Sequence, residues 1–224
     1  MSMLVNADFS KRVIVEPGQY EWIASPQSGV ERIMLDRIGE EQARATSIVR
    51  YAPDSHFPPH AHPGGEEILV LSGTFSDETG DFPAGWYLRN PPGTAHRPSS
   101  AEGALIFVKL RQMAPDDESR VRIDTRAPSA WWRREDRMVC PLFSSPVEQV
   151  CLQRVAAGHM LLMDAAGGAE LLVLEGRIVD GDRRYKPGTW IRLPAGERPG
   201  FTAGEKGVRF YLKTGHLAHP VVEA

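Results

Sequence analysis

Short runs rich in β-branched and aromatic residues, separated by recurring glycine and proline, dominate this chain, and helical periodicity is hard to find in it. The runs that gather β-branched and aromatic residues are 12–15, 20–24, 30–37, 45–51, 67–75, 85–89 and 104–112 in the first half. In the second half they are 121–124, 137–140, 147–155, 170–179, 188–192 and 208–213. Runs of this length with turn residues at close intervals predict an all-β sandwich or barrel. Two runs, Ile68-Leu-Val-Leu71 and Leu171-Leu-Val-Leu174, do not alternate. A strand with one wet face alternates, so both faces of these are expected to be covered. The cover would come from the other half of the chain, from a homodimer partner, or from both.

The same pattern occurs twice. Gly64-Gly-Glu-Glu-Ile-Leu-Val-Leu-Ser-Gly73 matches Gly167-Gly-Ala-Glu-Leu-Leu-Val-Leu-Glu-Gly176, 103 residues later. That offset also pairs Gly85 with Gly188, Arg89 with Arg192, Pro91 with Pro194, Gly93 with Gly196 and His56 with His159. With one residue of slippage, Gly103 pairs with Gly207 and Lys109 with Lys213. A duplicated β-domain follows. The polar, proline-containing stretch at residues 114–119 is the expected seam. The expected domains are a metal-binding barrel at 1–113 and a degenerate barrel at 119–224.

The copies differ in their chemistry. His60, His62, Glu66 and His96 of the first copy face Met163, Ala165, Ala169 and Pro199 in the second. Residues i and i+2 of a strand share a face, about 6.6 Å apart, so His60 and His62 can aim at one point. Gly64 and Gly65 permit the turn that brings Glu66 round. The turn before His96 brings in the fourth group. Three imidazoles and a carboxylate suit one divalent transition metal such as zinc, iron, manganese or nickel, whereas calcium and magnesium prefer oxygen alone. Glu67 and His56 keep their residue type in the copy without ligands, as Glu170 and His159, so a structural role is expected for them. The same holds for Arg89.

Composition narrows the function classes. The net charge is −3 with both signs mixed, so no basic face for nucleic acid is expected. No apolar run reaches the roughly 18 residues that span a membrane, and no secretory leader is evident, so a cytoplasmic protein is expected. Two cysteines, Cys140 and Cys151, do not make a disulfide framework. A hairpin could bring them face to face as a redox pair; buried free thiols are the expectation.

The ligand spacing resembles the cupin superfamily, whose motifs are G-x5-H-x-H-x3/4-E-x6-G and G-x5-P-x-G-x2-H-x3-N. His60, His62, Glu66 and Gly73 fit the first, and Gly85, Pro91, Gly93 and His96 the second. Asp54 and Ser100 replace the opening glycine and the closing asparagine, neither of them a ligand position. The resemblance implies two tandem jelly-roll barrels. A narrower resemblance, carried by residues 62–77, Pro83-Ala-Gly85, Arg89-Asn-Pro-Pro-Gly93 and Val108-Lys-Leu-Arg-Gln112, is to the cupin-like domain of ChrR anti-sigma factors. It implies zinc on three histidines and a glutamate, and a regulatory role in a transcriptional stress response. ChrR proteins hold their sigma factor with a separate N-terminal Cys-x-x-Cys domain. No cysteine precedes Cys140 here, so a sigma-factor partner is not expected. Cupins with such ligands also include dioxygenases that cleave diketones, and this is the alternative function, with a small molecule bound in the N-terminal barrel. No catalytic residue separate from the ligands is assigned.

Tyr51, Phe75, Trp86 and Tyr87 are candidates to line a pocket, with core packing as the plainer expectation. Trp131-Trp132-Arg-Arg134 is expected to pack rather than to bind a partner. His216 and His219 are expected in a polar tail without partners.

Overall fold

The structure, a computed structural model, describes residues 3–40 and 42–218. It is all-β, with two single-turn 3-10 helices at Pro17–Gln19 and Pro128–Ala130 among the described residues. Among the described residues no helix is long and apolar enough to cross a membrane. The strands form two compact units. One takes Glu21–Arg126 with the described residues up to Ala7; the other takes Asp8–Tyr20 with residues 127–218.

In the first unit the strand order is Leu4–Val5, Val30–Ile38, Arg44–Tyr51, Ala104–Leu110, Glu66–Asp77, Trp86–Asn90 and Val121–Asp124. In the second it is Trp132–Arg134, Arg137–Ser144, Gln149–Val155, Thr202–Thr214, Ala169–Asp180, Trp190–Leu193 and Val13–Val15. The repeat seen in the sequence is also a repeat in register. Glu67 stands opposite Arg89 and Lys109, and Glu170 stands opposite Arg192 and Lys213. Each long central strand places alternate residues on the apolar core of its own unit. Ile68, Val70, Leu88, Ile106 and Val108 do so in the first unit, and Leu171, Val173, Ile191, Phe210 and Leu212 in the second.

These units are not the contiguous spans 1–113 and 119–224. Val13–Val15 pairs with Trp190–Leu193 of the second unit, and Val121–Asp124 pairs with Trp86–Asn90 of the first. Each unit thus takes its last strand from the segment that precedes the other in sequence. The two segments run alike, Val13-Ile-Val-Glu16 before one 3-10 turn and Val121-Arg-Ile-Asp124 before the other. The physical cause is backbone satisfaction. A buried strand needs partners along both edges, and whichever segment reaches the open edge supplies them. The polar stretch 114–119 is also more than a tether, because Asp117 is ion-paired with the buried Arg89.

Two repeat glycines are required by close approach. Gly73 has φ +67°, and a Cβ there would lie 2.0 Å from the Gly103 carbonyl oxygen. Gly176 has φ +72°, and its Cβ would lie 2.1 Å from the Gly207 carbonyl oxygen.

The cysteines are free. Cys140 stands opposite Leu152, while Cys151 stands opposite Pro141. Cross-strand partners share a face and consecutive residues alternate, so the two thiols point to opposite faces of the sheet and cannot join. Burial raises the pKa of both, to about 11 for Cys140. Trp131 is buried with the Arg154 guanidinium 4.1 Å from its ring centre, whereas Trp132 is exposed. His216 departs from the expected tail: its Nε2 lies 3.3 Å from Glu170 Oε2 in a buried pair. His219 lies outside the described residues.

Candidate metal centre

The centre begins with a two-stranded ribbon. His60–His62 pairs antiparallel with Thr94–His96, so that His60 faces His96 and His62 faces Thr94. His60 and His62 share a face by the strand period, and His96 joins them as the cross-strand partner of His60. The three imidazoles meet edge to face, with ring centres 4.6 to 5.0 Å apart. Glu66 opens the next strand after the turn at Gly65, whose φ is +76°. One ligand atom from each of His60, His62, Glu66 and His96 can be chosen so that all lie within 4.8 Å of one another. All but the half-buried His60 are buried.

Each imidazole is held through its Nδ1. His60 Nδ1 donates to the Pro58 carbonyl at 3.1 Å. His96 Nδ1 donates to Asp77 Oδ2 at 3.3 Å. The Thr94 hydroxyl donates to the Pro91 carbonyl at 2.7 Å and lies 3.5 Å from His62 Nδ1, from which it can accept. That leaves the Nε2 atoms for the shared point. Those of His62 and His96 are buried without a hydrogen-bond partner, each 3.5 Å from Glu66 Oε2. A tetrahedral ion with bonds of about 2.1 Å sets its ligand atoms about 3.4 Å apart, so these two edges have the length a metal requires. Buried nitrogens with no partner are costly without an ion and satisfied with one. The residues therefore fit a divalent transition ion.

Burial and neighbouring charges move the two buried imidazoles in opposite directions. Burial and the neighbouring His96 and His60 lower the pKa of His62 despite Glu66, which favours the neutral, ligating imidazole. At His96 burial opposes the charged form, but the Asp77 hydrogen bond and the charges of Glu66 and Asp77 outweigh it and raise the pKa. Asp77 itself falls to about 2; burial works against the shift, and the hydrogen bonds from His96 and Thr79 cause it.

Glu66 is oriented from the neighbouring strand. Asn90 stands directly opposite it and donates Nδ2 to Glu66 Oε2 at 2.9 Å. Arg122 donates Nη2 to Asn90 Oδ1 at 2.7 Å. Sequence reading missed Asp77, Asn90, Thr94 and Arg122. The repeat held a signal for Asn90, whose counterpart is Leu193. It held none for Asp77, whose counterpart is Asp180. Arg122 lies outside the aligned span altogether.

The remaining candidates sort clearly. His56 is exposed and outside the cluster. Glu67 is buried beside Arg89, 4.0 Å from its guanidinium, and the strand alternation turns it away from Glu66. Tyr51 lines a cavity with His60, His62 and Glu66, and burial, then the Glu66 charge, raises its pKa. Phe75 packs against Tyr51 and His96. Trp86 packs on Phe82, and Tyr87 is buried.

Residues 10–114 match the family model described as the ChrR cupin-like domain. A candidate dioxygenase from Nostoc punctiforme shares 15% identity and a TM-score of 0.76 over 96% of this chain and 87% of that one. The fold is that of a cupin. The Escherichia coli pirin YhhW, solved with nickel(II), gives 11% identity and a TM-score of 0.66 over 95% and 100% of the two chains. Bacillus subtilis oxalate decarboxylase, studied for its Mn(II) centres, gives 13% and 0.58 over 90% and 76%. A search of curated protein sequences finds no match.

The second unit shows what fills the same place without ligands. Ala165, Ala169 and Leu193, the repeat positions of His62, Glu66 and Asn90, belong to one apolar cluster with Leu161 and Phe201. Met163, at the position of His60, is 81% exposed, so it has left the site altogether. Among the described residues, the cluster in the first unit is the one group of this kind.

Proposed function

We propose that the first unit is a metal-dependent enzyme centre for a small organic molecule, with His60, His62, Glu66 and His96 holding one divalent transition ion. The observation that carries this is a cavity of about 480 Å³ lined by His60, His62 and Glu66 together with Tyr51 and Phe57. A purely structural metal is closed off by its ligands, whereas one beside a cavity of substrate size can offer an open position. Iron bound there would supply dioxygen chemistry, and zinc would supply Lewis acidity. The chain's own part is to orient and to exclude water. Pro58, Thr94 and Asp77 set the imidazoles. The hydrogen bond from Asn90 holds Glu66 in place, which favours Glu66 as a ligand over Glu66 as a mobile base. Phe57 and Phe75 wall the imidazoles of His60 and His96, with ring centres 5.5 and 5.9 Å away.

A dioxygenase acting on a β-diketone-like compound is the reaction class favoured, supported by the likeness in fold to the Nostoc protein. A second reading, a regulatory zinc cupin of ChrR type, is favoured by the family match over residues 10–114. Two measurements decide. Elemental analysis is expected to give about one ion per chain, lost in His60→Ala and Glu66→Ala. Two ions per chain would refute a single live site. Oxygen uptake by the iron-loaded protein with a panel of β-diketones is expected, and is expected to vanish in His96→Ala. Full metal content with no uptake across the panel would return the protein to the regulatory reading.

A further inference from the structure

Tyr51 closes the strand Arg44–Tyr51 and stands between Val30 on one neighbouring strand and Ala104 on the other. Both partners belong to the apolar core of the first unit, and cross-strand partners share a face, so the Tyr51 ring points into the barrel. Two phenylalanines fix it there. Phe75 meets it edge to face with ring centres 5.9 Å apart, and Phe57 packs on it at 6.1 Å. The same two rings pack against His96 and His60. Tyr51 is thus one ring removed from two of the four candidate ligands, and it lines the cavity that His60, His62 and Glu66 also line.

The hydroxyl on this ring is what packing does not account for. Tyr51 is 6% exposed, and a buried phenol oxygen ordinarily has a hydrogen-bond partner. That of Tyr51 has none among the described residues, and it is not one of the polar atoms sealed off from accessible space. The open side from which a partner can reach it is the cavity. Phenylalanine would pack equally well between Phe57 and Phe75, with no polar atom to satisfy. The hydroxyl is also held in its donor form. Burial, then the charge of Glu66, pushes its pKa up, so the phenol keeps its proton.

We infer that the Tyr51 hydroxyl donates a hydrogen bond to a carbonyl or enolate oxygen of the molecule held in the cavity, and so selects compounds with such an oxygen over apolar ones of similar size. The inference rests on the reading of the cavity as the substrate site, and it adds the side chain that recognises a substrate oxygen. Val49, Ile106 and Val108, elsewhere on the cavity wall, suit the apolar body of the same molecule.

The test uses acetylacetone, which has two carbonyl oxygens, and cyclopentane, which has none. The full chain is studied zinc-loaded and metal-free, with metal content measured for each sample. Its tyrosines carry carbon-13 at the ζ carbon, the atom that bears the hydroxyl, and Tyr51→Phe identifies which of the five signals is its own. Acetylacetone is expected to shift the Tyr51 signal in both forms, and cyclopentane to move it far less. Tyr51→Phe is expected to weaken acetylacetone about 3- to 10-fold and to change cyclopentane by less than about twofold. The hydroxyl removed has no partner in the protein, so the variant is expected to melt no lower than wild type. If it does not fold, replacing the other four tyrosines one at a time assigns the Tyr51 signal by elimination.

Acetylacetone that binds without moving the Tyr51 signal, or that binds Tyr51→Phe as tightly as wild type, overturns the inference and leaves the cavity as the substrate site. An equal loss of both probes in Tyr51→Phe also overturns it, because the ring and not its hydroxyl would then matter. Binding of neither probe overturns the inference together with the cavity reading. Failure of the metal reading looks different. No zinc would bind, yet acetylacetone would still shift the Tyr51 signal.

Discussion

Asn90 donates its Nδ2 to Glu66 Oε2 over 2.9 Å, from the position directly opposite on the neighbouring strand. One carboxylate oxygen thus faces both the imidazoles and a fixed donor, and Arg122 fixes that donor in turn. Asn90→Leu installs the residue found at the equivalent place in the second unit, Leu193. Metal affinity is expected to fall about 10- to 100-fold, read by competition with a chelator. Affinity equal to wild type would show that Glu66 needs no help from Asn90.

Asp77→Asn tests the orientation of His96. The Asp77 hydrogen bond raises the His96 pKa, so the variant is expected to lower it, as read from a ring-proton titration of the metal-free protein. The sign of the stability effect follows from both partners. A raised His96 stabilises the fold below the unfolded histidine value, about 6.5, and the effect is lost as pH rises through its folded value. A depressed Asp77 stabilises above its unfolded value of 3.8, and the effect is lost as pH falls toward about 2. The stability gap between wild type and variant should therefore be widest between about pH 4 and 6.5. A gap that does not vary with pH would remove the ion pair as its cause.

Gly73→Ala would set a methyl group against the Gly103 carbonyl in a left-handed backbone. A loss of about 2 kcal/mol or more is expected in urea unfolding. Gly93 has φ +80° with nothing within 4 Å of an added Cβ, so Gly93→Ala is expected to cost only about 1 kcal/mol. Equal costs would mean that the close approach is not what demands glycine at position 73.

The exchanged strands make a prediction about fragments. A piece covering 1–113 lacks Val121–Asp124, so Trp86–Asn90 is left with an open edge and Asn90 without Arg122. A piece covering 21–126 keeps both. The shorter cut is expected to aggregate and the longer to run as a folded species in size-exclusion chromatography. Equal behaviour of the two pieces would show that the strand adds nothing to the first unit.

The all-β class, the duplication and the four converging side chains were legible in the chain itself. Alternation, turn glycines and ligand spacing are local signals, and the repeat supplied a comparison in which scaffold persisted while His60, His62, Glu66 and His96 did not. The tertiary structure alone decided what lies around them. Arg122 reaches the centre from a strand distant in sequence and Asp77 from the far end of the strand that Glu66 opens, and nothing in their own neighbourhoods marks them. Open sheet edges, not chain order, assigned Val13–Val15 to one unit and Val121–Asp124 to the other, because backbone groups pair with whatever segment reaches them. Alternation across a sheet turned Cys140 and Cys151 to opposite faces. The residues that can hold a metal were written in spacing; the residues that orient it depend on which strands lie side by side.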